Sequence, residues 1–218
     1  MKLKMPLGQE IQFKANVNRF LPPDVRVFDV KRVTKSFNAK IACSSRRYQY
    51  LFPTYLLQDR NITNELLSSA PESNERLSSV WKRIKSFRAT AETLAKLKET
   101  LKAFEGTKKY HNFTSQKSPS DASAARYIMS FTCEEPSIWG EDEVEWICIS
   151  VVGQSFLLNQ IRKMVALVFE VVRGSASQTT ISEAFSDSKV NLVVGSTLYA
   201  KIFSDGDTYG SWTWLVFR

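Results

Sequence analysis

Cysteine and histidine are scarce in this chain: three cysteines and one histidine in 218 residues. Cys43, Cys133 and Cys148 have no paired spacing, and His111 has no neighbouring ligand with which to hold zinc, so a structural metal site is excluded. Cys133 and Cys148 sit in strand-like contexts and imply a reducing compartment: nucleus, cytoplasm or an organelle matrix such as the mitochondrion. Long apolar runs are missing as well. The longest, Phe156 to Val172, is broken by Asn159, Gln160, Arg162, Lys163 and Glu170, which excludes a membrane span. The start, MKLKMPLGQEIQF, has no apolar core of the kind that marks a secretory signal. No internal repeat is visible.

Acids are outnumbered. Thirty Lys and Arg face 22 Asp and Glu, for a net charge of +8, which points to an anionic partner, either nucleic acid or a membrane surface. The excess is local. Trp81 to Lys109 holds nine basic residues against three acids, whereas Glu134 to Glu145 holds six acids and no base. With 43% hydrophobic and 12% aromatic residues, the chain has ample material for a folded core.

Periodicity predicts the elements. FLPPDVRVFDVKRV places a turn before a strand over 25–33, and a second strand runs through Tyr48. Residues 58–80, rich in Asn, Ser and Glu, read as an inserted, mobile connection. In RATAETLAKLKETLKAFEG, Leu94, Leu97, Leu101 and Phe104 share one helical face, and Gly106 marks the stop. Arg126–Cys133 and Glu145–Val152 alternate as strands, Ser155–Arg173 reads as a long helix, and TTISEAFSD as a shorter one. The expected fold class is α+β, an antiparallel or mixed sheet with helices on one face.

Two stretches stand out. In SSRRYQYLFPTY, side-chain alternation puts Arg46, Tyr48, Tyr50 and Phe52 on one face. That face is either an aromatic layer of the core with Arg46 reaching water, or a stacking platform for a base beside a phosphate clamp. In SFLLNQIRKMVALVFEVVRG, an almost wholly apolar helix carries Arg162 and Lys163 in its second turn. Arg162 either sits at an exposed edge or, if buried, requires a carboxylate or phosphate to meet it.

The blocks FLPPDVRV, ACSSRRYQYLFPTY, YHNFTSQK, SAARYI and GQSFLLNQIRKMV, in this order, resemble the TruA-type tRNA pseudouridine synthases, most closely their eukaryotic branch. The resemblance covers about Leu3 to Asn191. It implies a ferredoxin-like half, covering 1–190 with a divergent tail at 191–218, that packs against another half around an RNA cleft. It further implies that Tyr48 stacks on the target uracil and that Arg162 pairs with the catalytic carboxylate. Arg46, His111, Asn112, Phe113, Lys117, Arg126 and Lys163 would face RNA, with His111 to Phe113 forming a turn at the cleft. No cofactor or metal is expected, since the glycosidic C–N bond is broken and the uracil rejoined through carbon by positioning and a carboxylate alone.

The family's nucleophile lies in an Arg-Thr-Asp-x-Gly-Val block, and no such block occurs in these 218 residues. Asp24, Asp29, Asp187, Asp205 and Asp207 have the wrong contexts to replace it. SDGDTYGS has the look of a calcium loop without the later ligands and reads as a surface turn. Asn159 stands where the resembled eukaryotic sequences carry histidine, and an Ala-Pro-x-x-Gly-Leu pattern is lacking in the tail. Two functions are therefore expected: part of a uridine isomerase that is inactive alone, or a non-catalytic module that grips tRNA and other structured RNA. A basic protein-interaction domain is the third reading. The nucleus is the expected compartment, and no membrane partner is expected.

Overall fold

Within VEWICISVVG, the residues from Ile147 to Gly153 alternate buried with half-buried, as a strand with one face on the core must. This strand, β5 (Val144–Gly153), organises the sheet. It pairs antiparallel with β1 (Arg46–Pro53), from Arg46↔Gly153 to Pro53↔Trp146. On its other side lie β3 (Ala125–Cys133) and, further along, β4 (Ser137–Trp139). The edge is completed by β2 (Gly106–Lys109) against β3, while β6 (Lys201–Asp205) and β7 (Thr213–Leu215) extend the sheet beyond β1. The order is β2-β3-β5-β1-β6-β7, with β4 on β5 and every pair antiparallel. The chain is seen in a computed structural model that describes residues 6, 8–38, 41–61, 74–115, 117–140, 143–190, 192, 201–205 and 213–215.

Among the described residues the sheet is accompanied by α1 (Glu10–Phe20), α2 (Asn74–Ser86), α3 (Ala91–Lys102), α4 (Gln160–Val172) and α5 (Thr179–Ala184). Thr90 caps α3 by accepting from the Thr93 N–H at 3.1 Å, a contact that contributes about 1 kcal/mol. The predicted stripe of α3 is the buried one: Leu97, Leu101 and Phe104 are fully enclosed, and Leu94 packs at their margin. Each enclosed leucine contributes roughly 1.5–3 kcal/mol. From α4, Met164, Val165 and Val168 are equally enclosed, and the Phe169 ring meets Phe52 of β1 at 4.7 Å. Gly106, at φ 90°, lets the chain leave α3 and enter β2. The fold is α+β with an antiparallel sheet, as expected.

Several elements differ from the expectation. Residues 25–33 form no strand, because no other strand offers them a ladder among the described residues; instead Asn18 holds Val27 through both its backbone N–H and C=O, at 2.8 and 2.9 Å. The polar start contains α1, which buries none of its residues and therefore showed no apolar stripe. Of the connection expected at 58–80, residues 62–73 lie outside the described residues and 74–80 open α2, a helix whose charged sequence hid its period. The long helix begins at Gln160 rather than Ser155, because Asn159 adopts a left-handed conformation, φ 61°, that stops helix propagation there. Of SDGDTYGS, Ser204 and Asp205 end β6 and the rest lies outside the described residues. Among the described residues no helix is long and apolar enough to cross a membrane, and no group of three or more His, Cys, Asp or Glu is placed to hold a metal.

Candidate nucleic-acid interface

The aromatic face of β1 divides along its length. Tyr50 and Phe52 are buried in the core, whereas Tyr48 and Arg46 are only half-buried at the rim. The core-layer reading thus holds for Tyr50 and Phe52, while Tyr48 and Arg46 stand at the half-open end of the same face. Tyr48 meets Phe156 edge to face, with ring centres 5.2 Å apart and planes at 89°. Arg46 donates from Nη1 to the Gln154 carbonyl at 2.8 Å. Gln154 and Phe156 belong to the short loop that joins β5 to α4, so this loop is clamped to the very strand face that carries the half-open tyrosine.

That loop is shaped by close packing. A Cβ at Gly153 would lie 2.9 Å from the Phe156 ring and 3.0 Å from the Tyr127 carbonyl, so only glycine lets the chain pass. At its far end Gln160, fully buried, accepts from the Leu157 N–H at 2.8 Å and satisfies a donor that would otherwise be orphaned. Left-handed Asn159 then turns the chain into α4, whose first turn presents Arg162 and Lys163 in opposite senses. Arg162 is half-buried and engaged, and its guanidinium lies close enough to the buried Tyr50 hydroxyl to act on it electrostatically. Burial pushes the Tyr50 phenol up to about 12, and the Arg162 charge only partly offsets that. Arg162 lies between the exposed edge and the fully buried charge.

Lys163 turns the other way and reaches the Asn112 carbonyl at 3.4 Å. The turn His111–Phe113 was expected at the RNA surface, but its side chains are at most 1% exposed. Their polar atoms are spent inward: Asn112 Nδ2 donates to the Ala184 and Ser188 carbonyls at 3.1 and 2.8 Å, its Oδ1 accepts from Val190 N–H at 2.9 Å, and His111 Nε2 donates to Ser188 O at 3.2 Å. His111 Nδ1 is buried without a partner. Phe113 packs on Phe104 and Phe185. These three residues clasp the chain after α5; what the turn offers outward is its carbonyls and the cations that those hold.

Lys117 and Arg126 meet around one further turn. Lys117 Nζ contacts Asp121 at 2.9 Å and Ser123 Oγ at 2.7 Å, and Arg126 Nη1 donates to the Ser123 and Ala125 carbonyls, each at 2.6 Å. Asp121 is held down to about 2, chiefly by the Ser123 hydroxyl and then by Lys117. Lys117 is therefore already neutralised. Sequence reasoning missed Lys189, a single lysine in an unpatterned stretch, whose Nζ reaches the Lys117 carbonyl at 3.1 Å and the His111 carbonyl at 3.5 Å. Nothing in its spacing marks it.

The site is thus a wetted sheet rim, with a half-open tyrosine, cations from β1 and α4 on either side of one loop, and a lysine group around the 111–117 turn. That is an α+β domain with cations gathered at one end of its sheet, and known proteins make the class specific. A family profile described as tRNA pseudouridine synthase matches residues 100–201. A human protein named Pseudouridylate synthase 1 homolog is 38% identical over 194 residues, covering 88% of this chain and 40% of that one. Proteins named tRNA pseudouridine synthase 1 from Yarrowia lipolytica and Kluyveromyces lactis are 31% and 29% identical, covering 88% and 92% of this chain and 48% and 47% of theirs. The chain belongs to the TruA-type pseudouridine synthase family, through its domain of that type. It spans less than half the length of these relatives.

Proposed function

We propose that this protein binds tRNA and supplies the base-stacking and RNA-gripping part of a uridine-to-pseudouridine isomerase. The observation that carries the reading is the half-buried Tyr48, braced edge-on by Phe156 on the loop that leads into Arg162. A ring braced at right angles by one neighbour and half-open to solvent can stack on a base lifted from the RNA, which contributes ~1–3 kcal/mol and offsets much of the cost of unstacking. Arg162 is the residue that would hold the reacting carboxylate ionised. Arg46, Lys163 and Arg126 would draw in the phosphodiester chain, with the fields of neighbouring basic residues on α3 adding sequence-independent attraction.

Isomerisation converts the nucleoside's C–N bond into a C–C bond within one molecule and needs no co-reactant. The carboxylate for it belongs to an Arg-Thr-Asp block, which these 218 residues do not contain. The finer reading is that this stretch binds tRNA and forms no pseudouridine by itself, while an Arg-Thr-Asp-bearing half joined to it restores turnover without added metal. The same absence favours a second reading, a non-catalytic module for structured RNA. A salt titration of tRNA binding, with chemical mapping of pseudouridine in the same samples, tests both. Turnover by the 218 residues alone would overturn the finer reading; tRNA affinity that is flat with salt would overturn the RNA reading itself. Restored turnover on adding the Arg-Thr-Asp half separates the enzyme from the passive module. The resemblance to the eukaryotic branch is the ground for placing its work in the nucleus, which cell fractionation would check.

A further inference from the structure

Three lysines of the basic region face an acid. Lys98 meets Glu135 at 2.7 Å, Lys109 meets Asp187 at 2.7 Å and Lys117 meets Asp121 at 2.9 Å. Two do not. Lys163 and Lys189 come from elements distant in sequence, one from the first turn of α4 and the other from the segment after α5, and both ammonium groups converge on the carbonyls of a single turn: Asn112 O for Lys163, His111 O and Lys117 O for Lys189. Neither has a carboxylate within ion-pair distance among the described residues.

A like-charged pair without an acid works against the fold that holds it, since each charge disfavours the other. The strain registers on the more enclosed of the two: Lys163 is held below the ordinary lysine range, first by burial and then by the Lys189 charge. Carbonyls relieve part of this by accepting hydrogen bonds, but they carry no net charge. A missing anion is what the arrangement lacks. The turn itself is rigid, because His111 and Asn112 spend their side chains clasping Ser188 next to Lys189, so both ammonium groups are held on a fixed frame.

We propose that Lys163 and Lys189 together form a phosphate seat for one segment of RNA backbone, set against the 111–117 turn. This rests on the tRNA-binding reading above and assigns Lys189 to it. The occupant is a phosphodiester rather than a small free anion, because the pair lies open at Lys189 and joins, through α4, the rim that carries Arg162.

The full chain tests this through the salt dependence of tRNA binding. Removing one neutralised phosphate lowers the log–log slope by about 0.9, which corresponds to about eightfold weaker binding at 0.1 M salt. The double variant Lys163→Met, Lys189→Met should show that loss. Lys189→Arg should keep the affinity, because the charge remains. Lys31→Met, whose ammonium faces Asp29 on the far α1-side segment, serves as the control and should change neither slope nor affinity. A double variant that matches this control, while the parent chain binds tRNA normally, would overturn the seat and leave the RNA reading standing; a parent chain with no salt-dependent binding would overturn both. Thermal melting guards against a merely structural clasp: a double variant with a clearly lower melting temperature and an unchanged slope would assign the lysines to holding the turn. Amine acetylation read by mass spectrometry separates the sources of phosphate. Protection of Lys163 and Lys189 by tRNA supports the seat, and protection by inorganic phosphate with none by tRNA would reassign it to a small anion and refute it.

Discussion

Truncating Tyr48 and Tyr50 to alanine, two residues apart on one face of β1, should have opposite consequences for stability and for RNA. Tyr50 is 6% exposed and stands in the core beside Phe52, so Tyr50→Ala opens a cavity and should cost about 3–5 kcal/mol of folding stability. Tyr48 is half-buried and its described ring contact is the perpendicular pair with Phe156; losing that pair and part of the buried area should cost about 1–2 kcal/mol. The ranking reverses on RNA. If the open face of Tyr48 stacks on a flipped uridine at ~1–3 kcal/mol, Tyr48→Ala should weaken capture of a tRNA with fluorinated uridine by about 5- to 150-fold, while Tyr50→Ala, at a temperature where it stays folded, should bind nearly as the parent does. Chemical denaturation and direct binding on the same preparations give both numbers. Equal losses of affinity at the two positions, or a Tyr48→Ala variant that is as unstable as Tyr50→Ala, would refute the division of the strand into core and platform.

Three further outcomes follow from particular contacts. Gly153→Ala places a methyl group into the Phe156 ring and the Tyr127 carbonyl and should cost about 1–3 kcal/mol, read by denaturation, with a further loss of RNA affinity because the same loop braces Tyr48. Stability should fall as pH rises from 10 toward 12: the Tyr50 phenol ionises at its ordinary value of 10 in the unfolded chain but only near 12 in the folded one, so its contribution is fully present below pH 10 and is lost through that window, about 2–3 kcal/mol in all, and Tyr50→Phe should flatten the fall. Glu145→Ala removes one carboxylate oxygen that receives both Thr54 Oγ1 at 2.7 Å and the Ala89 N–H at 2.8 Å, leaves a half-buried donor at the entry to α3 unsatisfied, and should cost about 1–3 kcal/mol by thermal melting.

Legibility in the sequence followed burial. The stripe on α3 and the alternations of β3 and β5 were readable because those elements bury one face in the protein's own core, and period then reports packing. Helix α1 was unreadable for the converse reason, since it buries nothing and its apolar Ile11 and Phe20 point to water. The strand expected at 25–33 has the composition of a strand but no ladder partner, and composition alone does not supply hydrogen bonds. At the site, Tyr48, Arg46 and Arg162 were legible as residue types out of place: cations beside aromatic or apolar runs. His111, Asn112 and Phe113 were marked by family resemblance as surface residues, and the structure gives them a different task, because a polar side chain's direction depends on which distant carbonyls it meets, here those of residues 184 and 188. Lys189 was invisible because its role depends wholly on that distant turn.

The sheet's own connectivity sets a difficulty for the chain while it is being made. Central strand β1 is made well before its neighbours: its partner β5 follows about a hundred residues later and β6 about a hundred and fifty. At a synthesis rate of roughly 5–20 residues per second, the aromatic run from Tyr48 to Phe52 waits on the order of 5–20 seconds without either neighbour, with both edges of its backbone unpaired. A nascent chain so arranged is a natural client for ribosome-bound chaperones, and slow codons placed before β5 would lengthen the exposure rather than aid folding. Yield of soluble protein should therefore depend on translation speed between residues 53 and 144 more than elsewhere in these 218 residues.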